Sequence, residues 1–155
     1  MDRILVVEDS ETVGEILVSK LREMYNFDVA WVKNYAETAA LLSDGQHGFF
    51  IALCDLNLPD CRPGAAVDLA LGKSIPTVVF TGEYSDDLRE SFWDKGVVDY
   101  VMKEGPQNFE YIVSLVGRIY RNRTTKVLVV DDSQTSRTVV SGLLASHCRS
   151  EERRV

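Results

Sequence analysis

The sequence predicts an α/β protein built on a parallel sheet, and three observations carry that prediction. Four short apolar runs each stop on a polar residue: Arg3–Val7 before Glu8-Asp9, Phe49–Cys54 before Asp55, Pro76–Phe80 before Thr81, and Val97–Met102 before Lys103. Runs of this length read as strands buried on both faces, the condition of a parallel sheet covered by helices. They alternate with segments whose apolar residues recur at helical spacing, which is the pattern of βαβ crossovers. The polar residues then stand at the carboxyl ends of the strands, where open α/β sheets collect their ligand groups. With the strands all pointing one way, three carboxylates, a hydroxyl and an ammonium meet in one crevice.

The elements can be placed in chain order. Ser10 reads as the N-cap of a helix reaching Tyr25, with Val13, Ile16, Leu17, Leu21 and Met24 at helical spacing. Phe27–Val32 is a second strand, Asn34 caps a helix to Leu42, and Gly45 is its stop. The third strand leads to Asp55 and a loop, Leu56–Gly64, rich in turn formers. Ala65–Leu71 makes a two-turn helix closed by Gly72, ahead of the fourth strand. Ser85-Asp86-Asp87 starts a helix that ends at Gly96. After the fifth strand, Pro106 opens a helix with Phe109, Ile112, Val113, Val116, Ile119 and Tyr120 on one stripe. Arg118, Arg121, Arg123 and Lys126 read as charge complementing the C-terminal end of that helix. Five β/α units finish near Asn122.

The chain then repeats itself. Lys126–Ser133 mirrors Arg3–Ser10 in residue type at every position, and Val139, Val140, Leu143 and Leu144 come after it with helical spacing. Self-similarity at a long period indicates a second copy of the domain. The reading is therefore a whole domain over residues 1–122, then a linker and the first β-α unit of another over 123–155. Lys126–Val130 is expected to be a strand, and Arg149–Val155, almost all charged, a terminal appendage. An apolar strand and helix must bury their faces, so this unit is expected to pack on the first domain or on another chain. A continuation of the fifth helix is the competing expectation.

Composition narrows the setting. A chain of 155 residues accommodates one domain of about 100–150 residues with a remainder. The net charge of −7 argues against nucleic acid as a direct partner, because phosphate binding needs a basic surface. No apolar run approaches the ~20 residues of a membrane span, and Met1 leads into a strand without a signal peptide. Cys54, Cys61 and Cys148 form no CxxC pair and leave an odd thiol, which favours a reduced, cytoplasmic setting. Cys54, inside an apolar strand, reads as a small core residue.

The crevice has a chemistry. Asp55, alone at its strand end, suits a nucleophile: an ionised carboxylate can attack phosphorus and become an acyl phosphate. Two anions need a cation between them, and Glu8, Asp9 and Asp55 supply the hard oxygen ligands that Mg²⁺ prefers. Lys103 adds a compact positive charge able to pair first with Asp55 and then with its phosphate. Thr81 offers a hydroxyl on the same rim.

These residues resemble the receiver domain of two-component response regulators. The resemblance covers about residues 2–122 and rests on Glu8-Asp9, on Asp55 with Leu58-Pro59 and Gly64 after it, on Thr81-Gly82, and on Asp99–Lys103. It implies a flavodoxin-like, doubly wound, five-stranded sheet of order 2-1-3-4-5. It implies a signalling module, not an enzyme, in which a histidine kinase or phosphotransfer protein donates a phosphoryl group to Asp55. Mg²⁺ would sit on Glu8, Asp9, Asp55 and the backbone carbonyl of Asn57. Thr81 and Tyr100 would shift together as switch residues and remodel the face of helix four, strand five and helix five, a possible homodimer surface alongside the C-terminal tail. Asn57 and Glu83, two residues past Asp55 and Thr81, occupy the family's rate-tuning positions. Tandem receivers followed by a cyclic-dinucleotide synthase such as a diguanylate cyclase are one familiar arrangement.

Three features depart from the family pattern. The stretch from Asp55 to Thr81 is a few residues short, Gly64 lies one position late, and Lys103 is followed by Glu104-Gly105-Pro106 where proline usually comes directly. Two other readings compete with a phosphoacceptor: a degenerate receiver serving only as an interaction module, and a phosphatase resembling the haloacid dehalogenases. The latter family places Asp-x-Asp after its first strand, whereas Asp55-Leu56-Asn57 comes after the third and lacks the second Asp.

Overall fold

The computed structural model describes residues 2–45 and 47–147. Five strands, β1 (Arg3–Val7), β2 (Asp28–Val32), β3 (Phe49–Cys54), β4 (Thr77–Thr81) and β5 (Asp99–Met102), alternate with α1 (Glu11–Met24), α2 (Tyr35–Leu41), α3 (Ala65–Gly72), α4 (Asp86–Asp94) and α5 (Gly105–Asn122). The strands pair in the order β2-β1-β3-β4-β5, every pair parallel. This is the flavodoxin-like order.

Strand alternation divides the core. Ile4 and Val6 face the side covered by α1 and α5, with Leu17, Leu21, Ile112 and Val116. Leu5 and Val7 face the other side, with Val67 and Ala70 of α3 and Phe92 of α4. All four β1 residues from Ile4 to Val7 are fully buried, each side chain contributing about 1.5–3 kcal/mol by leaving water. Because β1 lies between β2 and β3, its end is enclosed on both sides, and this holds the acidic pair after it in the middle of the crevice.

The expected caps form: Ser10, Asn34 and Ser85 accept hydrogen bonds from Val13, Glu37 and Leu88 backbone N–H groups. Boundaries shift where pairing decides them. Val97 and Val98 are buried, but the β4–β5 register begins only at Val78↔Asp99. Thr81 falls inside β4 as its last rung, opposite Met102. The short α3 starts at Gly64, whose φ of +77° is open to glycine; a Cβ there would fall 2.3 Å from the Phe92 ring. Its N–H donates to the Leu56 carbonyl at 2.8 Å, so the late glycine closes the loop after Asp55. Gly105, at φ +67°, turns the chain from β5 into α5.

Arg123 serves the end of α5, its Nε donating to Tyr120 O at 3.4 Å, and it also bonds Asp2 at 2.8 Å and lies over the Tyr120 and Phe50 rings at 4.3 and 4.8 Å. Two expectations for the residues that come next are corrected. Lys126–Val130 form no strand, and α5 does not continue; a separate helix, α6 (Gln134–His147), comes next. Leu128 and Val130 are more than 80% exposed, and Val127, Val139, Val140 and Leu143 are exposed as well, so these side chains are not buried on the first domain. The reason is visible in the first copy, where β1 gains its backbone partners from β2 and β3. Asp131 and Asp132 are likewise exposed. Arg149–Val155 and Cys148 lie outside the described residues.

Candidate functional site

The parallel ladder places the site groups by their backbones. Glu8 N–H donates to Val32 O at 3.0 Å, Asp55 N–H to Val7 O at 2.9 Å, and Lys103 N–H to Thr81 O at 2.8 Å. Each bond prolongs a strand pairing by one step, so Glu8, Asp55 and Lys103 start from one common edge of the sheet.

Their side chains then meet. Lys103 Nζ lies 2.6 Å from Glu8 Oε2 and 2.7 Å from Asp55 Oδ2. Glu8 and Asp55 are both buried, whereas Asp9 is exposed. Burial pushes the Glu8 carboxyl above its ordinary value, and Lys103 opposes that shift. One ammonium thus serves two buried carboxylates, with a third beside them. Oxygen atoms of Glu8, Asp9 and Asp55 lie within 4.8 Å of one another, a donor set that fits a hard divalent cation. Removing Lys103 would leave two buried anions without their counter-charge, so its role is electrostatic before it is chemical.

A second network borders the first. Thr81 Oγ1 accepts the Glu83 N–H at 3.2 Å, and Tyr100 OH donates to the Glu83 carbonyl at 3.0 Å. Asn57 Nδ2 donates to Glu83 Oε2 at 2.9 Å, joining the loops after β3 and β4. Glu83 is therefore held by both expected switch residues and by the partner expected to share rate tuning. Tyr100 is buried, and burial raises its phenol above the ordinary value. The Cys54 thiol, also buried, is pushed up to about 12, which keeps it protonated and consistent with a core role.

Three supporting groups escape a reading of the sequence. Ser10 N–H donates to Glu8 Oε1 at 3.1 Å, and Trp31 Nε1 donates to the Glu8 carbonyl at 2.8 Å. Asp60, in the loop after β3, accepts the Tyr35 and Ala36 N–H groups of α2 at 2.8 and 2.9 Å. Ser10 could have been found through its place beside the acidic pair. Trp31 and Asp60 carry no local signal, because each acts across more than 20 residues of chain.

A flavodoxin-like sheet with an acidic crevice at its strand ends defines the class of protein, and comparison with known proteins assigns the family. The response regulator receiver domain model matches residues 4–114. Two solved structures described as two-component system response regulator/GGDEF domain proteins match at 35% identity and a TM-score of 0.84, covering 95% of this chain and 59% of theirs. The Mn²⁺-bound form of response regulator Rcp1 covers 82% of this chain and 99% of that one at 21% identity, with a TM-score of 0.65. This more distant likeness speaks to the fold alone. No curated protein sequence matches. The chain belongs to the response regulator receiver family of two-component systems. It spans 59% of the length of the GGDEF-containing relatives. No helix of the described residues is long and apolar enough to cross a membrane.

Proposed function

We propose that Asp55 is the phosphoacceptor of this receiver and takes its phosphoryl group from the phosphohistidine of a histidine kinase or phosphotransfer protein. A carboxylate oxygen of Asp55 forms the new P–O bond as the P–N bond to the donor breaks, and the leaving imidazole regains its proton from solvent. Mg²⁺ bound to Glu8, Asp9, Asp55 and the Asn57 carbonyl would supply the charge that lets two anions approach. Lys103, already on Asp55, stays within reach of the transferred group. The Thr81 hydroxyl keeps its own proton free to donate while it accepts the Glu83 N–H. Turning that hydroxyl to a phosphoryl oxygen releases Glu83 N–H, and Tyr100, bonded to the same residue, shifts with it. The change reaches the face of α4, β5 and α5, the proposed output and homodimer surface.

The observation that carries this reading is the Glu8–Lys103–Asp55 bridge beside Asp9. Incubation with acetyl phosphate and Mg²⁺, followed by intact-mass analysis, tests it. One stable phosphoryl group per chain is expected, and none on Asp55→Asn. Turnover of many phosphates would indicate a phosphatase, and no modification an interaction module.

Residues 126–147 are proposed as the opening unit of a second receiver in a longer protein. The repeat of Arg3–Ser10 at Lys126–Ser133 supports this, as does the 95% coverage by the GGDEF-containing relatives, more than a receiver ending at Asn122 supplies. By the same likeness, the output of that longer protein is proposed to be a cyclic-dinucleotide synthase.

A further inference from the structure

We infer that Trp31 is a positioning residue for the cation ligands, fixing the Glu8–Asp9 peptide through its indole N–H; this rests on the proposed Mg²⁺ site. The β1–β2 register ends at Val7↔Val32, so Glu8 lies beyond the ladder. The end of β2 nevertheless holds both polar groups of the Glu8 main chain. Val32 O accepts its N–H at 3.0 Å, and Trp31 Nε1 donates to its carbonyl at 2.8 Å. The Glu8 side chain has its own restraints, Ser10 N–H on Oε1 and Lys103 on Oε2. Asp9 is different. Its carboxylate is exposed and makes no side-chain hydrogen bond to the described residues, so only its main chain restrains where it can reach. The peptide plane that the indole holds is the one that launches Asp9.

The seat of the indole is specific. A Cβ at Gly14 of α1 would lie 2.1 Å from the Trp31 ring, so the ring reaches Glu8 only because α1 carries glycine there. Glycine inside a helix is disfavoured relative to alanine, and the close approach is what it permits here. Lys33, paired with Glu11, stands over the ring with Nζ 5.1 Å from its centroid.

Calorimetric Mg²⁺ titration of the full chain tests the inference, comparing wild type, Asp9→Asn, Trp31→Phe, and a chain with benzothienylalanine at position 31. That isostere keeps the ring and replaces N–H by sulfur, and it decides the matter if Trp31→Phe does not fold. Loss of one hydrogen bond predicts Mg²⁺ affinity weakened about three- to tenfold in both position-31 variants. The Mg²⁺ concentration that half-saturates acetyl phosphate labelling is expected to rise by the same factor in the isostere, while the melting temperature without Mg²⁺ falls by no more than one hydrogen bond accounts for. Wild-type affinity in the isostere, with affinity lost in Asp9→Asn, would overturn this inference and leave the Mg²⁺ site standing. Parallel loss of stability and of the saturating rate would make the indole a packing group and also overturn it. A wild-type chain that binds no Mg²⁺ would overturn both.

Discussion

Glu83 carries two kinds of contact at once: its main chain is held by Thr81 and Tyr100, and its carboxylate by Asn57. The Asn57–Glu83 pair is exposed and spans the two loops at the mouth of the crevice, where a hydrolytic water must pass to reach a phosphoryl group on Asp55. Exchanging both for bulky or basic residues removes the polar bridge and narrows that path. The acyl phosphate should then persist roughly tenfold longer, equivalent to ~1.4 kcal/mol in the hydrolysis barrier. The decay of labelled protein after removal of the donor measures this, and an unaltered decay refutes it. Residue identities at this site were legible because each of Glu8, Asp55, Thr81 and Lys103 ends an apolar run. Their partners were not. Glu8 and Asp9 look equivalent in the sequence, yet one is buried against Lys103 and the other open to solvent. That difference is set by neighbouring strands and not by the pair itself.

Helix starts were equally legible, since Ser10, Asn34 and Ser85 cap through bonds three residues long. The clamp on α2 was not, because Asp60 reaches Tyr35 and Ala36 from a different loop. These two backbone N–H bonds, Tyr35's first, hold Asp60 below its ordinary value of 3.8. A depressed carboxylate stabilises the fold above its unfolded value and loses that contribution as pH falls through the lower folded value. Asp60→Ala is therefore expected to melt below wild type near neutral pH, with the gap closing on the acid side of 3.8. Melting curves of both proteins across that range provide the check; a gap that persists unchanged into acid would mean the carboxylate charge is not what holds α2. The clamp also ties the loop after Asp55 to the neighbouring helix, so its loss should loosen that loop before it disturbs the sheet.

Across the whole molecule, the receiver closes on itself before the repeat begins. Arg123 bonds Asp2 and stacks on Tyr120 and Phe50, while Tyr120 OH donates to the same carboxylate, pinning the end of α5 to the approach to β1. The buried members of both apolar clusters run no further than Ile119. Beyond them the chain is apolar and open at Val127, Leu128, Val130, Val139, Val140 and Leu143. In the first copy the matching strand residues Ile4, Leu5 and Val7 are fully buried. A strand sequence that pairs so well between β2 and β3, presented without its own sheet, is a template for another chain. The 155-residue chain should therefore associate as concentration rises. A chain truncated after Thr125, which spares the Arg123 clamp, should remain monomeric at the same concentrations. Its melting temperature should match the full chain in dilute solution, because the core loses nothing. Sedimentation velocity over a concentration series distinguishes the two; if both chains sediment alike throughout, the exposed repeat does not hold chains together.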